Sequence, residues 1–335
     1  MQRMKFIFRC LWILGIALTG ATAEPATAVT PQDFIIGADI SGVQAAEARG
    51  VKYSDNGVTK DILAILRDHG FNYVRLRVFV DPTKATPRDR PYSMQGYCDL
   101  PHTIEMAKRV KAMGMGLLID FHYSDSWADP GKQFTPSAWA ELPFDELVVK
   151  MHDWTKDAIL QMRDAGAEPD MVQVGNEITP GLMTDRGGSA RDWTQLGRLL
   201  KAGIAGVKEV DSKILVMLHI DKGGDNMATR RWVDAALAQG VQFDILGESC
   251  YTRWQGPPSG WKTNFDDLVV RYPALSFVIA EVGSETKESL DIMRSLPNRK
   301  GLGTFIWEPT SNGNGQALFD TNGALIPEKM AAYDK

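Results

Sequence analysis

Two carboxylates, Glu177 and Glu281, are the residues best placed to do chemistry. Glu177 closes Val172-Gln173-Val174-Gly175-Asn176-Glu177, and Glu281 closes Phe277-Val278-Ile279-Ala280-Glu281. Short apolar runs of this kind read as buried strands. Asn is a poor strand former and Glu is seldom buried without a partner, so polar groups at these ends cost stability unless they are used. Two carboxyl groups about 5–5.5 Å apart suit cleavage of a glycosidic bond with retention, one as acid/base and the other as nucleophile. A gap of roughly 6.5–9.5 Å admits a water and suits inversion. Position along the chain leaves that gap open. Taken alone, the Asn176-Glu177 pair fits a loop-facing strand end better than a catalytic one; the rest of the chain reverses that.

Similar runs elsewhere also end in polar or aromatic groups: Asp39, Arg75 and Arg77, Asp120 and His122, His219, Tyr251, and Trp307 with Glu308. An unpartnered buried polar group costs about 1–3 kcal/mol. One such end is ordinary; the set together marks a site. Arg75 and Arg77 share parity and so face one side of their strand. Either can hold Glu281 ionised, because a nearby cation lowers a carboxyl pKa. Tyr251 can hydrogen-bond the same carboxylate, whereas Glu177 needs a raised pKa to keep its proton. Trp307 offers an indole face to the C–H groups of a sugar, although it also fits a core aromatic. His122 and His219 also fit hydrogen-bonded core histidines.

These ends need a scaffold that gathers them. Apolar strands alternate with amphipathic helical stretches from Phe34 onward. Strands are predicted at Phe34 to Ile40, Tyr73 to Phe79, Gly116 to His122, Met171 to Val174, Ile214 to His219, Phe243 to Tyr251, Phe277 to Glu281 and Gly303 to Trp307. Helices are predicted at Asp61 to His69, Leu100 to Met113, Phe144 to Ala165, Trp193 to Val210, Arg231 to Ala238, Phe265 to Tyr272 and Lys287 to Leu296, with a short one near Glu328 to Tyr333. Eight strand–helix units are the number that closes a (β/α)8 TIM barrel, an α/β fold whose active site sits at the C-terminal strand ends. An open doubly wound sheet would want a Gly-rich phosphate turn after its first strand, and Gly37-Ala38-Asp39 is not one.

The 335 residues carry a net charge of −5 with no basic stripe, which gives no reason to expect a nucleic-acid partner. Arg3, Lys5 and Arg9 precede an apolar run from Cys10 to Leu18 and the small residues Ala21-Thr22-Ala23. This is the layout of a cleaved signal peptide, with an apolar run shorter than the ~20 residues of a membrane span. The expected organisation is therefore a signal peptide at 1–23, a flexible leader at 24–31 and a single catalytic domain at 32–335. A secreted or periplasmic, monomeric protein follows, with no membrane association after cleavage. Cys98 and Cys250 are read as free or buried. No metal-ligand spacing appears, and no cofactor is expected.

At these residues the chain resembles the endo-β-1,4-galactanases of glycoside hydrolase family 53, within the clan of (β/α)8 retaining glycosidases. The motifs that carry the resemblance are Gly37-Ala38-Asp39-Ile40-Ser41, Val74-Arg75-Leu76-Arg77, Asp120-Phe121-His122-Tyr123-Ser124-Asp125-Ser126-Trp127-Ala128-Asp129-Pro130, Gln173-Val174-Gly175-Asn176-Glu177-Ile178 and Trp307-Glu308-Pro309. The resemblance implies hydrolysis of β-1,4-galactan, the pectin side chain, with Glu177 as acid/base and Glu281 as nucleophile. The substrate-binding and supporting residues are then Asp39, Arg75, Arg77, His122, Asp125, Trp127, Asn176, His219, Tyr251, Trp254 and Trp307. The chain departs from the family pattern at Glu248-Ser249-Cys250-Tyr251-Thr252-Arg253-Trp254, at Val282-Gly283-Ser284 and at Thr310-Ser311. These places bear on substrate choice, so a β-galactosidase trimming short oligomers is the alternative within the same chemistry. A sugar-binding protein on a decayed barrel is the alternative outside it. The short stretch from Glu281 to Lys287 gives no ground for carrying over the calcium loop of some bacterial relatives.

Overall fold

Eight parallel strands close into a barrel in the computed structural model, which describes residues 33–85, 96–310 and 316–333. The expected signal peptide and leader lie outside the described residues. The first barrel strand is β1 (Ile35–Asp39). A small hairpin, β2 (Ser54–Asp55) and β3 (Val58–Thr59), stands apart from the barrel. The remaining barrel strands are β4 (Tyr73–Val78), β5 (Gly116–Phe121), β6 (Met171–Val174), β7 (Leu215–Ile220), β8 (Ile245–Cys250), β9 (Ser276–Val282) and β10 (Gly301–Ile306). Each pairs with the next in chain order, and β1 closes the ring against β4 and β10. No edge is left, so the open-sheet alternative is ruled out.

Side-chain parity builds two shells. Outward residues such as Val74, Leu76, Val78, Ile119 and Phe121 pack under the helices in the larger core. Inward residues Ile35, Tyr73, Leu118, Met171, Met217, Ile245, Val278 and Phe305 form a separate cluster inside the barrel. The next inward residues along the same strands are polar: Asp39, Arg75, Asp120, Gln173, His219 and Ser249, all buried. The barrel is thus an apolar plug with a charged layer above it, at the strand ends where such barrels keep their sites.

The helices start where capping chemistry allows. Asp61 caps the helix Ile62–Asp68 through the Leu63 N–H, and Asp99 caps the helix Leu100–Ala112 through that of His102. One helix predicted from Arg231 begins five residues earlier, at Asn226, because the Asp225 side chain accepts the Ala228 N–H. Another, predicted from Phe265, runs Pro258–Arg271 with proline in its first turn. The hairpin was not expected, since two-residue strands show no alternation. Its Asn56-Gly57 turn, with φ of 49° and 78°, is the two-residue type that joins antiparallel strands. Cys98 and Cys250 are both buried free thiols. No helix among the described residues is long and apolar enough to cross a membrane.

Glu248 faces outward between Leu246 and Cys250, where an aliphatic residue would fit. Its carboxyl oxygens are held by the Thr229 hydroxyl and Asn264 Nδ2, both at 2.6 Å. Burial pushes its pKa up to about 8, against the pull of those two partners. A raised carboxyl pKa means that the folded state binds the proton more tightly than the unfolded chain. Its contribution is full at acid pH and is lost as pH rises towards about 8. Glu248→Gln keeps both hydrogen bonds and cannot ionise. The variant is expected to match the parent near pH 5 and to exceed it above pH 8 by on the order of a few kcal/mol, measured by urea unfolding at the two pH values.

Candidate active site

Glu177 reaches the barrel mouth through an irregular strand end. After β6, Gly175 takes φ of 86°, and a Cβ there would meet Ile178 Cγ2 at 2.6 Å. Glu177 itself holds φ of 47°, a conformation L-residues adopt only when the surroundings enforce it. Backbone contacts supply that enforcement: Gln133 Nε2 donates to Asn176 O at 2.8 Å, and Ile178 N donates to His219 O at 2.8 Å.

Glu281 is delivered by a β-bulge. Phe277 and Ile279 face outward while Val278 and Ala280 face inward, so strict alternation would send Glu281 out under the helices. The pairing shifts there: Glu248 is opposite Ile279, but Ser249 is opposite Glu281. Toward β10, Thr304 pairs with Ile279 and Ile306 with Val282. One extra residue at Ala280 restarts the alternation, turning Glu281 inward and Val282 outward.

Both carboxyls open into one cavity of about 840 Å³, whose walls include Asn176, Tyr251, Trp127, Trp254 and Trp307. Beneath it Arg75 is fully buried and spends all five of its N–H donors. Nη1 serves Asp39 Oδ2 at 3.1 Å and Glu281 Oε1 at 3.0 Å; Nη2 serves Asp120 Oδ2 and Asn176 Oδ1, both at 2.8 Å. Nε donates to Gln173 Oε1 at 3.2 Å. The other oxygen of Glu281 accepts from the Tyr251 hydroxyl at 2.9 Å. Arg77 does not contact Glu281. It pairs with Asp39 at 3.3 Å and Glu308 at 2.5 Å, between the rings of Trp127 and Trp307 at 4.1 and 5.1 Å. Its role is to fix those two indoles in the cavity wall.

The carboxyls differ in proton affinity. Burial raises Glu281 to about 7, while Arg75 and Tyr251 pull the other way. Glu177 is pushed well above the carboxylate range, by burial first and by the charge of Glu281 second. Glu281 therefore ionises first and Glu177 keeps the proton, a division of the kind that separates base from acid in paired-carboxyl sites.

The other predicted residues fall into three places. Asn176, Tyr251, Trp127, Trp254 and Trp307 line the cavity, Trp254 as a rim residue 67% exposed. Asp39, Arg75, Arg77, His122 and His219 lie in the buried layer below. His122 Nδ1 accepts the Ala128 N–H at 2.9 Å, so its proton is on Nε2, 3.0 Å from Asp120 but poorly aligned with it. Asp125 does not reach the cavity; its carboxylate accepts the N–H groups of Asp81 and Ser137 and braces the loops around it. Sequence reasoning passed over Gln173 and Ser249. Both carry inward parity at a strand end, and that signal was available for each.

A closed (β/α)8 barrel that holds an ionising carboxyl and a protonated one in an aromatic-walled cavity at its C-terminal mouth has the architecture of a barrel glycoside hydrolase. Comparison with known proteins gives the particular family. The family model described as glycosyl hydrolase family 53 matches residues 35–293. The endo-beta-1,4-galactanase of Bacillus subtilis (strain 168) is 34% identical over 345 residues, covering 90% of this chain and 78% of its own. The arabinogalactan endo-beta-1,4-galactanase of Humicola insolens is 33% identical, covering 88% of this chain and 96% of its own. Among solved structures, the GH53 catalytic domain of Ignisphaera aggregans superposes with a TM-score of 0.83 at 33% identity, covering 92% of this chain and 99% of that one. The chain belongs to glycosyl hydrolase family 53.

Proposed function

We propose that this chain is a retaining endo-β-1,4-galactanase, acting on β-1,4-galactan or arabinogalactan side chains of pectin. The observation that carries the reading is that two carboxyls open into one aromatic-walled cavity, Glu281 held by Arg75 and Tyr251 and Glu177 without a cation among the described residues, so that burial favours the proton on Glu177. The names of the Bacillus and Humicola relatives supply the substrate class. In the first step the Glu281 carboxylate attacks the anomeric carbon while Glu177 gives its proton to the departing glycosidic oxygen. The bond to that oxygen breaks as a galactosyl ester forms on Glu281. Glu177, now a carboxylate, takes a proton from water as the water opens the ester. Tyr251 and Arg75 hold Glu281 in line. Asn176 Nδ2 donates one proton to Ala128 O at 2.9 Å, which leaves its other amide proton for a substrate hydroxyl. The indoles of Trp127, Trp254 and Trp307 offer faces on which sugar rings pack.

The basic, apolar and small residues of 1–23 support export to a secreted or periplasmic location. On this reading 24–31 is a leader and 32–335 a single catalytic domain that works as a monomer. The test is purified protein on lupin or potato galactan beside arabinan, mannan and cellulose, with the anomer of the first product read by proton NMR. Short β-galacto-oligomers from galactan alone are expected. Free galactose as sole product would favour a trimming β-galactosidase, and α-anomers would sink the retaining mechanism.

A further inference from the structure

Asn176 sits at the centre of a hydrogen-bond chain that assigns protons. Its Oδ1 accepts from Arg75 Nη2 at 2.8 Å, and its Nδ2 donates to Ala128 O at 2.9 Å. The amide can face only one way. His219 Nδ1 stands 2.9 Å from that same Oδ1, an atom with no proton to give; Gln173 Nε2, 3.2 Å away, has both its protons on closer acceptors, Asp120 Oδ1 at 2.6 Å and Gly175 O at 3.0 Å, so Nδ1 carries the imidazole proton. His219 is fully buried, and burial, then Arg75, keeps its pKa well below the usual range, so the ring is neutral. Its Nε2 is therefore a bare acceptor, 3.0 Å from Ser249 Oγ. The serine hydroxyl has one proton, and Nε2 takes it. Ser249 Oγ also lies 2.6 Å from Glu177 Oε1. With its own proton committed to His219, the serine meets Glu177 with lone pairs alone. The proton between those two oxygens belongs to Glu177.

We propose that Ser249, backed by His219, is a positioning residue that acts as a hydroxyl switch for Glu177. While Glu177 is an acid, Ser249 accepts its proton bond and donates to His219 Nε2. Once Glu177 is a carboxylate, the Ser249 O–H swings to donate to it and Nε2 loses its partner. That loss disfavours the charged form and helps Glu177 keep its proton until the leaving group needs it. This rests on Glu177 being the acid/base.

The test is the pH profile of kcat/KM on an aryl β-1,4-galactobioside for the parent, His219→Phe, Ser249→Ala and the double variant. Phe offers no acceptor, so the Ser249 proton becomes free to serve ionised Glu177. The alkaline limb is expected to move down by roughly half to one pH unit, one neutral hydrogen bond's worth. Adding His219→Phe to Ser249→Ala should move it no further. The groups facing Glu177 (Glu281, Asp221, Asp129 and Tyr251) and those facing His219 (Arg75, Asp120 and His122) are the same in every variant. An unmoved or raised limb in His219→Phe, or an equal shift with and without Ser249, overturns the switch.

Ser249→Ala gives a second reading should the Phe variant not fold. Galactan hydrolysis is expected to fall about tenfold or more, while a dinitrophenyl galactobioside, which needs no acid, stays within about twofold. Equal losses on both substrates would show a structural serine. If the parent enzyme cleaves neither substrate, the galactanase reading itself fails, and the two failures are told apart.

Discussion

Glu281→Ala is expected to lower kcat on galactan by on the order of 10⁴–10⁶-fold while the fold survives, the range seen when a nucleophile is removed from a hydrolytic site. Its carboxylate is the one oriented on both oxygens, by Arg75 and by Tyr251, and the one that ionises first. The other acidic residues nearby cannot replace it. Glu248 faces outward, bonded to Thr229 and Asn264, and Glu285 accepts from Thr252 at the start of the helix Thr286–Ser295. Added azide fits the space left by the carboxyl. It is expected to restore turnover of an activated aryl galactobioside, giving an α-galactosyl azide because the small anion enters from the nucleophile's side. Glu177→Ala should differ in kind. It should keep the first step on the same activated substrate, lose galactan hydrolysis by roughly 10²–10⁴-fold, and give a β-azide, because azide then intercepts the ester on Glu281. Product stereochemistry by NMR checks both. A Glu281→Ala enzyme that still hydrolyses galactan, or that yields the β-azide, would remove the assignment.

How legible this site was in the sequence depended on what kind of signal each residue carried. Barrel closure was readable because alternating strands and helices repeat eight times. Arg75 and Arg77 were rightly placed on one face, yet nothing local says that one of them reaches Glu281 and the other does not. That distinction comes from one step of strand rise and from which acids stand opposite. Glu281 was found as a strand end, although the alternation of its own strand points it outward. Only the pairing of β9 with β8 and β10 reveals the extra residue at Ala280 that turns it in. Asn56-Gly57 and Asp225 are local turn and cap signals, but two-residue strands and a first helix turn carry no periodicity to point to them. The proton assignment along Asn176, His219, Ser249 and Glu177 could not be read at all. It depends on which atom of each group faces which, and those residues come from two strands, β7 and β8, and the loop after β6.

Arg75→Met should cost about 3–5 kcal/mol at neutral pH, the penalty for removing one partner of a buried charge pair. In the parent, one guanidinium answers Asp39, Asp120 and Glu281 together, with every donor used. Burial works against the charge on Asp120, but Arg75 and then His122 outweigh it and hold its pKa below the ordinary value. Methionine fills similar volume and leaves those carboxyls without their cation, Asp39 keeping only Arg77. Their pKa values in the folded state must rise. Raised carboxyl pKa values make the folded chain take up protons, so the variant's deficit is largest at neutral pH and shrinks as the pH is lowered. Urea unfolding at pH 7 and pH 5 reads that sign directly. Activity should follow the same logic. The parent's acid limb marks protonation of Glu281, already raised to about 7 by burial; without Arg75 it should move to higher pH and leave little active enzyme at neutrality. Arg75→Lys restores a charge but offers three donors from one point where five acceptors are spread around a plane, so it should recover only part of either loss. A variant equally stable at both pH values, or one whose acid limb stays in place, would show that Arg75 neither balances these carboxyls nor holds Glu281 ready to attack.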